Sequence, residues 1–592
     1  MLSAALALVA AAAMAAVLTA AGARVCAVSR LPLDRDLRLA VHFLLGAGVL
    51  ALLLTAVGLA GVLTSWVAMG VLGAMAIAGR WRKWRRPGWA RLLLAAAPLV
   101  VLLPVALAPP FFYDALVYHL GLPWQTLLEH GLRPHPENVY TTTPPLAQLV
   151  ALPALAAGLE RVPALLHMAS FLAGGWAVTA LASALGAPRW AAAMASACLP
   201  LLPLLVVMPA FPAAEGWGIA GIAAAAAIAV RHRLRAGGGV LVGALAGLAA
   251  AARAQVVPLA AALVLLTVVR QRTWGRRLGT AVSLLVAAAP WWLKNLVLLH
   301  APLAPLGWSA GGQEALWRDG HATLAMASTV AQACRMVWAS VWPQVWYLPA
   351  LLLSSALLLL RGGGNRQRWL LGVVTVGLVA WAGLAAVPRY LGAVVALELA
   401  LAASLAGLRA GRFAFAAVVG ATVVAGAFGS IRLVARLGGV GLAVEEPAAV
   451  RARLVVNDPF PAFAAAAGLP QEARVVFVGE PRSFRFPRRF VAPSYYDTSP
   501  LAEVAEHASN DSDLANWLIS EGFTHLLINW PELSRLGPGY PVAPWRSERG
   551  RHLFFALRAR LAPPVLALSG VEIYALRGAD RGGARLRNRA SD

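Results

Sequence analysis

Residues 39–79 read LAVHFLLGAGVLALLLTAVGLAGVLTSWVAMGVLGAMAIAG and contain no Asp, Glu, Lys or Arg. A helix needs about 20 apolar residues to cross the hydrocarbon core of a bilayer, so this run is long enough for two crossings. In lipid the backbone must satisfy its own hydrogen bonds, which favours helices. The run therefore predicts two membrane-spanning helices, at 39–60 and 61–79.

The composition of the whole chain agrees with a membrane protein. Of its 592 residues 60% are apolar and 13% are charged, which is too little polar surface for a soluble protein of this size. By length and charge breaks we expect about fourteen spans. They lie at 1–23, 39–60, 61–79, 92–109, 163–183, 190–208, 215–231, 237–251, 256–270, 279–299, 341–360, 368–387, 391–409 and 412–433.

The net charge of +24 does not indicate a nucleic-acid partner, because the basic residues punctuate the apolar runs and form no single basic domain. They follow the positive-inside rule instead. We therefore predict a membrane protein in which 110–162 (the outer loop), 209–215, 300–340 and the C-terminal region lie outside the cytoplasm. The basic loops on the opposite side are 24–38, 80–86, 189, 231–235, 270–277, 361–368 and 409–412.

Two features that would point to a secreted or metal-binding protein are weak. The run 1–23 lacks the basic start of a signal peptide and is followed by Arg24, so we interpret it as a retained span. Cys26, Cys198 and Cys334 have no CxxC spacing, and indicate neither a metal site nor a disulfide framework.

From about residue 440 the composition becomes that of a soluble domain. Residues 474–479, 524–530 and 571–576 predict strands, and 500–521 predicts a helix that ends at Gly522. Strands that alternate with helices favour a small α/β layer domain. The predicted organisation is 1–89 for additional N-terminal helices, 90–435 for a transmembrane core, 440–576 for an extracytoplasmic α/β domain and 577–592 for a Gly- and Arg-rich disordered tail.

The segment with the clearest chemical content begins just beyond the predicted span 92–109. Asp114 lies there, and Tyr118 and His119 follow four and five residues later, on or beside the same face of a helix. A carboxylate at the membrane edge is costly to desolvate and usually has a partner or a task. The residues alone leave two interpretations open, an interfacial helix cap and a catalytic carboxylate.

Several motifs resemble those of a known family. They include Asp114-Ala-Leu-Val-Tyr-His-Leu-Gly-Leu-Pro123, Tyr140-Thr-Thr-Thr-Pro-Pro145, Pro290-Trp-Trp-Leu-Lys-Asn295 and Pro388-Arg-Tyr-Leu391. Together they resemble the GT-C superfamily of membrane glycosyltransferases, in particular the branch of aminoarabinose transferases and protein mannosyltransferases known as glycosyltransferase family 39. The resemblance covers roughly 90–410; in one departure, His300-Ala301 replaces the usual Gly-Asn.

The resemblance implies a GT-C-like fold and a sugar transfer at the outer face of the membrane. The donor would be a sugar linked to a polyprenyl phosphate, and the acceptor a lipid, a glycan or a protein. Asp114 matches the family's catalytic acidic residue, and it would act on an acceptor hydroxyl. Tyr118 and His119 are substrate-binding candidates beside it.

Further substrate-binding candidates follow later in the chain. Arg253, Lys294 and Arg389 are cations that could bind the lipid phosphate, and Tyr390 adjoins the last of them. Glu215 occupies a position where many family members carry an acidic residue. The alternatives are snorkelling to headgroups for the cations and a charge that complements the helix dipole for Glu215.

No cofactor is certain from the sequence, and a divalent metal remains an open alternative. His119, His135 and Glu137 lack zinc-type spacing, so a divalent metal, which some members of the superfamily use, is not supported. In the soluble domain, Asp497, Asn529 and Glu532 could contact a sugar, but they are interpreted as ordinary surface residues. No phosphate-binding loop is present in the sequence.

Two other functions remain open. A flippase or transporter of lipid-linked glycans would place ionisable residues near the bilayer midplane, where Glu398 is predicted to lie. A non-catalytic polysaccharide-assembly protein would use the C-terminal domain as its working part. The expected partners are a polyprenyl-phosphate-linked sugar and membrane lipids.

Overall fold

The computed structural model describes residues 2–81, 89–205, 208–231, 236–305, 364–384 and 387–576. Helices dominate, and the chain is a multi-pass α-helical membrane protein with a small C-terminal sheet. Within the described ranges, six helices are long and apolar enough to cross a membrane: Leu2–Val28, Arg35–Leu59, Val162–Ala184, Trp274–Leu299, Pro388–Leu405 and Gly411–Leu437.

Shorter or less apolar helices occupy most of the other predicted spans. The predicted count of about fourteen spans is therefore not confirmed, and the predicted span at 341–360 lies outside the described residues. These further helices are Ser65–Ala78, Trp89–Ala106, Arg189–Cys198, Glu215–Arg231, Ala236–Ala252, Val257–Val269 and Asn365–Leu384.

The apolar run that begins at residue 39 forms two helices. Arg35–Leu59 is long enough to cross a membrane, whereas Ser65–Ala78 is shorter than the span predicted there. The break between them has local causes. The first helix ends at Leu59, and Gly61 takes a φ of +74°, which a residue without a Cβ adopts at little cost. The side chain of Thr64 then caps the next helix by accepting a hydrogen bond from the amide of Val67.

The prediction of a single span at 190–208 is wrong. The helix ends at Cys198, and 3₁₀ turns follow at Leu199–Leu201 and Met208–Ala210. Pro200 has no amide N–H to donate to the preceding turn, and further prolines follow it. The segment is apolar, as expected, but the helix does not continue through Pro200.

The outer loop packs four short helical segments where the sequence shows no long apolar run. The first is a π-helical turn, a geometry that is frequent at functional sites. The segments are Ala115–His119, Gly121–Leu128, Val139–Thr142 and Leu146–Ala156.

A five-stranded sheet forms the centre of the C-terminal domain. Its strands are β1 (Arg474–Val478), β2 (Arg489–Val491), β3 (His525–Asn529), β4 (Leu566–Leu568) and β5 (Val571–Ala575), in the spatial order β2-β1-β3-β5-β4. β1 pairs in parallel with β2 and β3, whereas β5 is antiparallel to β3 and β4. The predictions of β1, β3 and β5 are confirmed. β2 and β4 were not predicted, because three residues are too few to show a strand pattern.

The helices of this domain lie before and between the strands. The single helix predicted at 500–521 is wrong, because the side chain of Asn510 accepts from the amide of Asp513 and starts a new helix. The predicted tail at 577–592 lies outside the described residues. The helices are Pro447–Leu454, Phe460–Ala465, Pro500–His507, Asp511–Ser520, Trp530–Leu536 and Glu548–Leu561.

Candidate active site

Asp114 directly precedes the π-helical turn, but its side chain makes no capping hydrogen bond there. Its Oδ2 instead accepts a hydrogen bond from Nη2 of Arg389 at 3.2 Å. The helix-cap interpretation of this side chain is therefore wrong, and the carboxylate pairs with a cation from a distant part of the chain.

A second ion pair lies beside the first. Glu215 is the first residue of helix Glu215–Arg231 and is 4% exposed. Its Oε1 is 2.7 Å from Nη1 of Arg253 and 3.9 Å from Nε of Arg389. Its Oε2 accepts from the amide of Ala214 at 3.2 Å. Glu215 therefore complements the start of its helix and also joins the two arginines. A buried carboxylate requires such partners, because removing it from water is costly.

Tyr390 is the aromatic neighbour of both arginines. The guanidinium of Arg253 is 4.5 Å from the centre of its ring, and that of Arg389 is 5.7 Å away, which is within the range of cation–π attraction. We call Asp114, Glu215, Arg253 and Arg389 the charge cluster. Its two carboxylates balance its two guanidinium groups, so the charge cluster has no net formal charge. The side chain of Arg389 is 29% exposed and that of Arg253 13%, so Arg389 is the more accessible cation.

Tyr118 and His119 form the wall next to this charge cluster. The ring of Tyr118 stacks on Tyr140 with 4.0 Å between centroids. Burial raises the pKa of Tyr118 well above its usual value, and the nearby Asp114 carboxylate adds to this. Burial lowers the pKa of His119 to about 3 despite the nearby Glu215, so its imidazole is neutral. Among the described residues, Nδ1 of His119 has no hydrogen-bond partner.

Lys294 lies apart from the other predicted site residues. Its Nζ donates to the carbonyl oxygen of Thr141, and the residue is 5% exposed. The snorkelling alternative is therefore wrong for Lys294. In the part of the chain that the structure describes, no contact joins it to Asp114 or Arg389. The other predicted site residues, Asp114, Tyr118, His119, Glu215, Arg253, Arg389 and Tyr390, do come together.

The histidine and glutamate residues of the outer loop do not assemble the metal site that was considered from the sequence. Nε2 of His135 is 2.9 Å from Glu129, and its Nδ1 is 3.1 Å from Glu137. Burial alone would lower the pKa of His135, but the hydrogen bonds with both carboxylates outweigh it and raise the pKa to about 10. The described residues contain no group of three or more ligand side chains that could hold a metal.

The C-terminal domain contacts the outer loop directly. Nε1 of Trp124 donates to the carbonyl of Phe486 at 2.8 Å, and the amide of Val139 donates to Oδ2 of Asp497 at 2.9 Å. Burial raises the pKa of Asp497 to about 7. The interpretation of Asp497 as a surface residue is wrong, because the side chain lies in this interface.

Tyr113, one residue before Asp114, is held by the C-terminal domain. Its hydroxyl donates to Oε1 of Glu532 at 3.0 Å, and the guanidinium groups of Arg482 and Arg535 lie 5.3 and 5.4 Å from its ring centre. Glu532 is fully buried, so its interpretation as a surface residue is also wrong. Sequence reasoning missed this contact, because the Pro-Glu pair that follows a strand resembles an ordinary turn.

The fold and the cluster together define a polytopic helical membrane protein whose outer loop and C-terminal domain meet over paired charges and aromatic rings. No family model matches the chain, and no curated protein sequence matches it. The chain is similar in structure to ArnT from Cupriavidus metallidurans bound to undecaprenyl phosphate, with 17% identity and a TM-score of 0.45 over 83% of this chain and 98% of that one.

A second group of similar structures comes from Archaeoglobus fulgidus. The oligosaccharyltransferase AglB in complex with an inhibitory peptide and a dolichol-phosphate has 12% identity and a TM-score of 0.40, over 74% of this chain and 69% of that one. The oligosaccharyltransferase in complex with Zn and sulfate has 13% identity and a TM-score of 0.41, over 74% and 68%.

Proposed function

We propose that this chain is a membrane glycosyltransferase that transfers a sugar from a polyprenyl phosphate to an acceptor hydroxyl. The transfer would occur at the outer face of a bacterial inner membrane, and the acceptor would be a lipid, a glycan or a protein. The observation that carries the proposal is the pairing of Asp114 with Arg389 at 3.2 Å, beside the buried pair of Glu215 with Arg253. This pairing puts a proton acceptor and an accessible phosphate-binding cation next to each other.

In the proposed reaction the acceptor hydroxyl attacks the anomeric carbon of the donor sugar. A new glycosidic bond forms as the bond between that carbon and the phosphate oxygen breaks. Polyprenyl phosphate leaves with the bonding electron pair, and the hydroxyl proton passes to Asp114, which acts as the general base. Attack opposite the leaving group inverts the anomeric centre.

Arg389 is suited to stabilise the leaving phosphate. A guanidinium presents five N–H donors in a fixed fork, and only one of them is directed at Asp114. The Nη donors that do not bond Asp114 can bind phosphate oxygens as their negative charge grows, which is when a preorganised cation stabilises most, whereas Nε is buried and faces Glu215. We assign Arg253 as a second phosphate contact and Glu215 as a positioning residue that holds both arginines.

The position of the charges along the chain suits a substrate with a lipid tail. Asp114 follows helix Trp89–Ala106, Glu215 begins its own helix, Arg253 follows helix Ala236–Ala252, and Arg389 precedes Gly392–Leu405. Charges at helix ends meet a headgroup at the membrane surface while the tail remains in the bilayer. A transporter is expected to place its ionisable residues deeper, within the spans. Glu398, inside helix Gly392–Leu405, is such a residue and keeps the transporter alternative open.

Substitution of the proposed base tests this assignment. The purified protein is incubated with polyprenyl-phosphate sugars and membrane acceptors, and transfer is compared for the wild type and Asp114→Asn. We expect the variant to lose about 10²–10⁴-fold in transfer rate. A bound donor should still protect it against unfolding.

The matched control is Glu445→Gln. Glu445 also pairs with an arginine, Arg453, at 2.9 Å, and this ion pair includes none of the residues of the charge cluster. We expect this variant to keep wild-type transfer. Transfer at the wild-type rate by a folded Asp114→Asn variant would remove Asp114 from the mechanism. Movement of a lipid-linked glycan across the membrane of vesicles that contain the protein, without any sugar transfer, would favour the transporter alternative.

A further inference from the structure

Tyrosine side chains are concentrated next to Asp114. The chain has nine tyrosines, and six of them form a continuous series of ring contacts with centroids 4.0 to 6.4 Å apart. Three belong to the outer loop and three to the C-terminal domain. This tyrosine cluster consists of Tyr113, Tyr118, Tyr140, Tyr495, Tyr496 and Tyr540.

The half of the tyrosine cluster that comes from the C-terminal domain contacts Tyr113, which directly precedes Asp114, and Tyr140 of the outer loop. Tyr495 shares a hydrogen bond between hydroxyl groups with Tyr140. Burial and, after it, the Asp114 carboxylate raise the pKa of Tyr495. Burial raises the pKa of Tyr496 to about 12, with smaller effects from Tyr540, Tyr390 and Asp114. These phenols therefore lie within the electrostatic field of Asp114.

The same domain uses a different aromatic side chain where only packing is required. Phe463, Phe477, Phe486 and Phe490 contact one another with centroids 4.9 to 6.1 Å apart, and each is at most 2% exposed. In contrast, Tyr540 is 38% exposed. Aromatic rings with hydroxyl tips, partly open and next to a carboxylate, are suited to a ligand that has both apolar and hydroxyl-bearing faces.

Contacts outside the tyrosine cluster also attach the C-terminal domain to the outer loop. Trp124 donates to the carbonyl of Phe486, and Arg451 donates to Glu160 of the outer loop at 2.8 Å. The hydrogen bond between Val139 and Asp497 is a third link. The tyrosine cluster is therefore not the sole attachment of the domain, and another task for its rings is reasonable.

We propose that the tyrosine cluster is a sugar-binding wall of the active site, which the C-terminal domain completes with Tyr495, Tyr496 and Tyr540. This inference rests on the proposed transferase function and deepens it. The ligand is a sugar ring, whose C–H faces pack on aromatic rings and whose hydroxyls bond to phenols. The ring comes either from the donor or from the acceptor, and the experiment below separates these sources.

The experiment compares Tyr496→Ala and Tyr540→Ala with the control Phe555→Ala. Phe555 is 38% exposed, like Tyr540, but its ring contacts Trp530 and Trp545 and no member of the tyrosine cluster. Affinity is measured for polyprenyl phosphate and for polyprenyl-phosphate sugars, and the KM is measured for the acceptor. Thermal unfolding verifies that each variant is folded, and Tyr496→Phe tests whether the ring alone is sufficient.

If the wall binds the donor sugar, both alanine variants should bind the sugar-bearing donor about tenfold more weakly, with unchanged affinity for polyprenyl phosphate. If it binds the acceptor sugar, the acceptor KM should rise by a similar factor with unchanged donor affinity. The inference is overturned if the donor affinity and the acceptor KM of both alanine variants equal those of Phe555→Ala. A wild-type protein that binds neither lipid and transfers no sugar would instead contradict the proposed function itself.

Discussion

Arg389 donates a hydrogen bond to the carboxylate of Asp114, which lies 275 positions earlier in the chain, at 3.2 Å. Asp114 precedes the first turn of the outer loop, whereas Arg389 belongs to the 3₁₀ turn Pro388–Leu391 before helix Gly392–Leu405. The bond therefore joins the start of the outer loop to the turn that precedes helix Gly392–Leu405. The bond orients Asp114, the proposed base, beside Arg389, the proposed phosphate contact.

The first prediction concerns the guanidinium of Arg389. In Arg389→Lys the charge remains, but a single ammonium cannot bond Asp114 and also present a planar fork to phosphate. We expect kcat/KM for transfer to fall about 100-fold, measured by steady-state kinetics with saturating acceptor. Arg453→Lys, at an exposed pair with Glu445, is the control. Unchanged kinetics in Arg389→Lys would mean that the fork is not used.

The second prediction concerns stability. In Glu215→Gln the buried partner of Arg253 loses its charge, so the arginine loses its ion pair and keeps the weaker attraction to the ring of Tyr390. Breaking a buried ion pair from one side costs about 3–5 kcal/mol. We expect a lower free energy of unfolding in detergent, with the upper end of that range reduced because Arg253 keeps 13% exposure.

The control for Glu215→Gln is a pair of the same residue types at the surface. Glu548 and Arg551 are 3.3 Å apart, with side chains 75% and 51% exposed. Exposed pairs contribute little, so Glu548→Gln should unfold like the wild type. Equal stability of both variants would show that Glu215 does not hold the arginines in place.

Much of the fold could be predicted, because the signals are local. Runs of about 20 apolar residues indicate helices, and the break after Leu59 follows from Gly61 and the cap at Thr64. The buried strands β1 and β3 are short apolar runs that end at turn residues. The interruption after Cys198 does not follow from Pro200 alone, because Pro98 and Pro104 lie inside the continuous helix Trp89–Ala106.

The partners inside the site could not be predicted in the same way. Helical spacing shows which residues share a face, but it does not show which helix ends converge, so the pairing of Asp114 with Arg389 needed the tertiary structure. Lys294 has the composition of a phosphate ligand, yet it bonds a carbonyl of the outer loop. Tyr495 and Tyr496 lie in a loop without a motif, and only docking of the domain brings them to the site.

The third prediction separates Lys294 from the charge cluster. Lys294→Met keeps the length of the side chain but removes the donor to the carbonyl of Thr141, and an unsatisfied buried acceptor costs about 1–3 kcal/mol. We therefore expect lower thermal stability with unchanged affinity for the donor lipid, measured by titration at a temperature where the variant is folded. A large loss of donor affinity would instead return Lys294 to the phosphate site.

The fourth prediction concerns pH and His135. Its two ring nitrogens contact Glu129 and Glu137. Burial opposes the charged imidazolium, but the carboxylates outweigh it and raise the pKa from 6.5 to about 10. Since the folded state binds this proton more tightly than the unfolded state, its contribution is complete below pH 6.5. It decreases as the pH rises through about 10.

Thermal unfolding of the wild type and His135→Gln, measured from about pH 6 to about pH 10, tests the sign of this pH dependence of stability. The variant should be most destabilised relative to the wild type near pH 6, and the difference should narrow towards about pH 10, where the wild-type imidazole is also neutral. His507→Gln is the control, because His507 is exposed at the end of helix Pro500–His507 and its ring contacts a backbone carbonyl of that helix. A difference that stays constant across the range would show that His135 contributes by packing and not by its charge.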